Sequence, residues 1–224
     1  MQDGLRLTEN SQIFCTENDM AYFPFFHELD NKNITIIGGG NIAFEKIERL
    51  AGLGADITVI APEIKDEIFD FPKVTCIIKR YAPEDLSGAD FVISATGDEK
   101  IDNEVFEKCR AQKTPVNVVD VKDKCDFIFP SVIRKKNLVI GVSSSGASPQ
   151  VAITLRKEIE NLIPDNIEDI LDYLEEIRPV VKACIDDPII RHRILKHAAD
   201  ICLRDKRTLS AEELEELLIN ERES

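Results

Sequence analysis

The chain has 224 residues, 43% of them hydrophobic, enough for one large domain or for a medium domain joined to a smaller one. Its formal net charge of −14 argues against general binding to nucleic acid or to an anionic membrane surface. No apolar run is long enough to span a bilayer, and residues 1–19 lack the basic and apolar blocks of a signal peptide. A soluble, cytoplasmic protein is therefore expected.

Residues 1–19 read as a polar N-terminal extension, with Met20 as an alternative start. The first predicted strand, Ile34-Thr35-Ile36-Ile37, breaks into Gly38-Gly39-Gly40, and a helical stripe follows at Ile42, Ala43, Lys46, Ile47, Leu50 and Ala51. Strand, glycine turn and helix in that order are the pattern of a dinucleotide phosphate site. Gly38 suits the tight turn, and Gly40 lets a pyrophosphate approach the backbone. Asn41 and Ile42 open the helix, whose free N–H groups and dipole favour a phosphate. Ala43 stands where close helix–strand packing usually asks for a third glycine. The next strand, residues 57–60, ends in Ala61-Pro62-Glu63, so the acid expected there for the ribose hydroxyls is displaced beyond a proline. No arginine is present to receive a 2′-phosphate, which favours NAD over NADP. The alternative is a glycine turn in a Rossmann-like fold that holds no cofactor.

Further strands are expected at residues 74–78, 91–96 and 115–119, with a helix between Asp98 and Gln112. The alternation implies an open parallel sheet with helices on its faces. After Asp120 the rhythm changes. Two short strands are expected at residues 127–130 and 138–142, joined by the basic segment Arg134-Lys135-Lys136-Asn137. Ser148 and Pro149 mark a helix start, followed by a face of Val151, Ala152, Leu155, Ile159 and Leu162. A helix with Ile167, Ile170, Leu171, Leu174 and Ile177 is expected to stop at Pro179. Another opens at Asp187-Pro188, and a last one at Ser210, where Glu213 completes a capping box. The expected organisation is a nucleotide domain at 20–124, a small α+β segment at 125–164 and a helical domain at 165–224.

Six cysteines are scattered without a CxxC pair, so free thiols are expected rather than a disulfide frame or a metal site, with Cys76 and Cys202 in the core. His192 and His197 are not at i, i+4 spacing, and His27 precedes the nucleotide domain, so no histidine is singled out as a metal ligand or catalyst. Ligands of open α/β sheets sit beyond the carboxyl ends of the strands, which places Thr96 and Asp120 at one site with the glycine loop. Asp120 is there either a proton acceptor or an ordinary turn residue. The loop Ser143-Ser144-Ser145-Gly146-Ala147 is either an anion-binding loop before a helix or a plain turn with a cap.

Gly38-Gly39-Gly40-Asn41-Ile42-Ala43, Ser94-Ala95-Thr96, Asn117-Val118-Val119-Asp120, residues 127–131 and residues 142–149 together resemble the precorrin-2 dehydrogenase family of siroheme synthesis, from about Tyr22 to about Ile163. The resemblance implies NAD-dependent oxidation of precorrin-2 to sirohydrochlorin, and a homodimer built through the segment after the nucleotide domain. It makes Asp120 the essential acid/base group, places Pro62 and Glu63 beside the adenosine with Thr96 also at the cofactor, and gives Asn117 and Ser144 to the substrate. Some members of the family also insert ferrous iron, a lyase activity assigned to the same aspartate, so a bifunctional enzyme is one alternative. A noncatalytic NAD-sensing module with a helical partner-binding tail is another. The substrate's eight carboxylates call for local basic residues, for which Lys122, Lys124, Arg134, Lys135, Lys136, Arg156 and Lys157 are candidates; each is equally a surface charge.

Overall fold

A computed structural model describes residues 22–223; the N-terminal extension, Met20 and Cys15 lie outside the described residues. The described chain divides into two compact units, Phe23–Phe129 and the part from Pro130 onward.

The first unit is a five-stranded parallel sheet: β1 (Asn33–Ile37), β2 (Asp56–Ala61), β3 (Val74–Ile78), β4 (Phe91–Ser94) and β5 (Val116–Val118), in the spatial order β3-β2-β1-β4-β5. α1 (Asn41–Leu50) and α2 (Glu99–Gln112) cover its two faces. Side chains alternate across a strand. Ile34, Ile36, Ile57, Val59 and Ile93 therefore pack with Ala43, Ile47 and Leu50 of α1. Ile37, Ile60, Val92, Val116 and Val118 pack on the other face with Val105 and Cys109 of α2. Burying each such aliphatic side chain contributes about 1.5–3 kcal/mol, so strands apolar on both faces are expected in a covered parallel sheet. The crossovers from β2 to β3 and from β3 to β4 contain only 3₁₀ turns, at Asp66–Asp70 and Pro83–Leu86. Pro72 and Pro83 interrupt these stretches, which are too short to bury a helical face.

The second unit begins with the hairpin β6 (Ser131–Lys135) and β7 (Leu138–Val142), and α3 (Pro149–Leu162) packs on it. The expected strand at 127–130 is displaced to β6. Phe127 and Phe129 pack their rings into the first unit's core, and the Phe127 carbonyl is taken by the Asn117 amide, so this segment does not pair as a strand. The turn is then only Lys136-Asn137, with Lys136 at φ +47. The apolar face expected on α3 is also different: Ala152 is buried, whereas Val151, Leu155 and Leu162 are exposed.

α4 (Ile167–Cys184), α5 (Pro188–Asp205) and α6 (Ala211–Glu223) bury Ile170, Ile177, Ala198, Cys202 and Leu209 together, with a second cluster at Val181, Ile185 and Ile194. α4 continues past Pro179. The hydrogen bond that proline removes would have ended on Glu175, on the exposed side of the helix, while Ile177 and Val181 stay buried. Asp187 caps α5 by accepting from the Ile189 and Ile190 N–H groups. At α6, Ser210 Oγ accepts from the Glu213 N–H at 3.2 Å, and Glu213 accepts from the Ser210 N–H at 2.8 Å. Cys202 is fully buried, whereas Cys76 is only partly covered, packed against the first unit's core.

Candidate active site

Parallel strands β1 and β4 are neighbours whose crossovers run to opposite sides, which opens a crevice at their carboxyl ends. Gly38 leaves β1 at φ +114, its N–H donating to the Ile60 carbonyl at 2.9 Å. A Cβ at Gly38 would lie 2.3 Å from the Ala95 carbonyl oxygen, so glycine is required by conformation and by space. A Cβ at Gly39 would lie 2.5 Å from the Glu63 carbonyl oxygen. That second requirement is not apparent from the glycine spacing. Gly40 differs: its φ is −88 and a Cβ there would meet nothing within 4 Å. No side chain caps α1 and no acid occupies its first turn. The N–H groups at this helix start therefore have no side-chain cap, and the space beside Gly40 is open, which fits a dinucleotide phosphate.

Asn41 and Ile42 are exposed at the start of α1, and Pro62 and Glu63 are exposed beyond β2. The Glu63 backbone lies against Gly39, so the displaced acid stands beside the glycine loop. Lys65 N–H donates to the Gly39 carbonyl at 2.9 Å, and its ammonium lies 4.4 Å over the Phe44 ring.

Thr96 follows β4. Its hydroxyl donates to Asp102 Oδ1 at 2.7 Å and accepts the Asp98 N–H at 3.0 Å. Ser94 Oγ donates to the same Asp102 oxygen at 2.6 Å, and Asp102 is only 7% exposed. Sequence reasoning missed Asp102. The available signal was its place on the apolar face of α2, three and seven residues before Val105 and Cys109.

Asn117 sits inside β5, 7% exposed, and its amide donates to the Phe127 carbonyl at 2.8 Å. Cys125 Sγ donates to the Val118 and Val121 carbonyls at 3.1 and 3.3 Å. These bonds hold the turn that presents Asp120, which is exposed and held at φ +62. A non-glycine residue in this left-handed region costs about 1–3 kcal/mol, and such residues cluster at functional sites. Among the described residues no donor hydrogen-bonds the Asp120 carboxylate. Gly38, Gly40, Thr96, Asn117 and Asp120 thus all lie at or beside strand carboxyl ends of one unit.

Ser144 belongs to the second unit. Its Oγ accepts the Ser148 N–H at 3.0 Å, and Ser143 Oγ accepts the Ser145 N–H at 3.1 Å. Ser148 caps α3 through the Val151 N–H. Of the candidate basic residues, Lys124 binds Asn103, Lys136 pairs with Asp172, and Arg156 pairs with Glu160. Lys122, Arg134, Lys135 and Lys157 are exposed. Among the described residues, no three or more His, Cys, Asp or Glu side chains form a group that could hold a metal ion, and no helix is long and apolar enough to cross a membrane.

The fold and the glycine loop define a dinucleotide-binding protein. Residues 25–131 match a family model described as putative NAD(P)-binding. The chain is 37% identical to the siroheme synthase of Psychrobacter sp. (strain PRwf-1) over 169 residues, 74% of this chain and 35% of that protein. It is 37% identical to the siroheme synthase of Pseudoalteromonas translucida (strain TAC 125) over 166 residues, 73% of this chain and 35% of that one. The chain thus spans about a third of the length of these relatives. A solved structure titled SirC, precorrin-2 dehydrogenase, superposes with a TM-score of 0.70 at 22% identity, covering 91% of this chain and all of that one, and shares its fold.

Proposed function

We propose that the chain is an NAD-dependent precorrin-2 dehydrogenase that forms sirohydrochlorin in siroheme biosynthesis. The observation that carries this reading is the unpartnered Asp120 carboxylate, held in a strained turn at the carboxyl end of β5 in the same unit as an uncapped glycine-loop helix. The likeness to siroheme synthases supplies the substrate class.

Bound NAD⁺ supplies a hydride acceptor. The Gly40 backbone and the first turn of α1 would hold its pyrophosphate, with Asn41 and Ile42 at the helix start. Pro62 and Glu63 would face the adenosine ribose. Thr96, its hydroxyl fixed by Asp102, shapes the strand end beside the glycine turn. As the macrocycle loses a hydride, Asp120 takes the accompanying proton, so the products are sirohydrochlorin, NADH and one proton. Asn117 supports the Asp120 turn from within the strand, and Ser144 contributes a hydroxyl to the substrate.

The protein acts as a homodimer in the cytoplasm. Val132 and Val139 on the hairpin, with Val151 and Leu155 on α3, are 39–50% exposed and offer an apolar surface for self-association. The test is turnover of precorrin-2 with NAD⁺ by the wild type and by Asp120→Ala. The wild type is expected to form sirohydrochlorin, and the variant to lose at least ~100-fold in rate with NAD⁺ affinity intact. A variant rate within a few-fold of wild type would remove Asp120 from this role.

A further inference from the structure

Lys46 lies on the second turn of α1, the helix that opens at the glycine loop. Its ammonium stands 4.4 Å over the Phe129 ring, and the residue is half-buried. Among the described residues no carboxylate lies within ion-pair distance of it. The neighbouring charges that act on it include Asp120, in the turn beyond β5, together with Glu45 and Arg49 of its own helix. Burial, and then Arg49, push its pKa below the usual lysine value, against the opposing pull of Glu45 and Asp120.

A partly desolvated cation without a counter-ion costs free energy unless an anion completes it. α1 is held by the packing of Ala43, Ile47 and Leu50, and Phe129 packs against the same core, so both the helix that carries Lys46 and the ring beneath its ammonium are fixed. The Asp120 turn is pinned by the Cys125 thiol. Lys46 and Asp120 are therefore two opposite charges presented by rigid elements of one unit. The protein carries a net charge of −14, so a polycarboxylate approaching Asp120 meets general repulsion and needs a local cation.

We propose that Lys46 binds a carboxylate of the tetrapyrrole substrate and so orients the macrocycle against Asp120. This rests on the dehydrogenase reading for the identity of the substrate, but it is tested by binding alone. The probe is uroporphyrin, a macrocycle with eight carboxylates, titrated by its visible absorbance against wild type, Lys46→Met, Lys46→Gln and Lys46→Arg. NAD⁺ affinity is measured in parallel by calorimetry, and folding by circular dichroism.

The expected result is a loss of uroporphyrin affinity of about 10-fold or more in Lys46→Met and Lys46→Gln. Lys46→Arg, which keeps the charge, stays within a few-fold of wild type, and all variants bind NAD⁺ and melt as the wild type does. In turnover the neutral variants raise KM for precorrin-2 more than they lower kcat. Equal uroporphyrin affinity in wild type and neutral variants overturns the proposal, as does a wild type that does not bind the probe. Weakened NAD⁺ binding with unchanged uroporphyrin binding overturns it too, assigning Lys46 to a dinucleotide phosphate. A wild type that binds uroporphyrin through Lys46 yet does not oxidise precorrin-2 would sink the dehydrogenase reading and leave this one standing.

Discussion

Alanine at Gly38 and alanine at Gly40 are the same chemical change two residues apart, and the structure assigns them opposite consequences. At Gly38 the new Cβ would sit 2.3 Å from a backbone carbonyl of the adjacent strand, on a residue at φ +114. The backbone strain alone is about 1–3 kcal/mol, and the overlap with Ala95 cannot be relieved by rotating a side chain, so a total near 3 kcal/mol is expected. For a chain of this size that lowers the melting temperature by roughly 6–12 °C. At Gly40 the Cβ meets open space at an ordinary φ of −88, and the stability cost is at most about 1 kcal/mol, the difference between glycine and alanine at a helix N-cap. On the proposed reading the pyrophosphate passes through this open space, so NAD⁺ affinity should fall at least ~10-fold, or about 1.4 kcal/mol. The chain has no tryptophan, so melting is followed by circular dichroism and NAD⁺ binding by calorimetry. A Gly40→Ala protein that binds NAD⁺ as tightly as wild type would refute the placement of the pyrophosphate. A Gly38→Ala protein that melts with the wild type would refute the steric reasoning.

Asp102→Leu strands the Ser94 and Thr96 hydroxyls without their acceptor and should cost about 2–4 kcal/mol in urea unfolding. Adding Ser94→Ala and Thr96→Val should recover much of it, and no recovery would mean the carboxylate acts by something other than these bonds. Burial, aided by the charge of Asp126, pushes the Cys109 thiol up to about 11, so it should resist a thiol reagent at pH 8 in the folded protein while exposed Cys184 reacts quickly. Labelling of Cys109 as fast as Cys184 would contradict its packing against α2's side of the sheet. The Arg207 guanidinium and then the Ser210 N–H hold the Glu213 carboxyl at about 2, against an ordinary 4.5. Because the folded value is the lower one, this contact supports α6 above about pH 4.5 and is lost as pH falls toward 2. Carboxyl-detected NMR should find that low midpoint, and Arg207→Ala should return it toward 4.5.

The elements with local signals were legible in the sequence. Ile34 to Ala43 carries its whole instruction in ten residues, and the caps at Ser148, Asp187 and Ser210 each depend on a partner two or three residues away. The apolar run at 127–130 misled because its rings pack into a core built by distant strands, and periodicity does not separate an apolar plug from a strand. Pro179 misled because the helix breaks a hydrogen bond on its exposed side while its buried face continues. At the candidate site, motif order alone singles out Gly38, Gly40 and Asp120 as expectations. It does not single out Asp102 and Lys46, because what makes them notable is burial and the absence of a charged partner. Both arise from contacts between residues far apart in the chain.

The central claim is tested most directly by incubating the purified chain with precorrin-2 and NAD⁺ under anaerobic conditions and following sirohydrochlorin and NADH together. The account predicts that the two appear in a one-to-one ratio and that Asp120→Asn forms neither while still binding NAD⁺. A wild-type protein that binds NAD⁺ but leaves precorrin-2 unoxidised would contradict it.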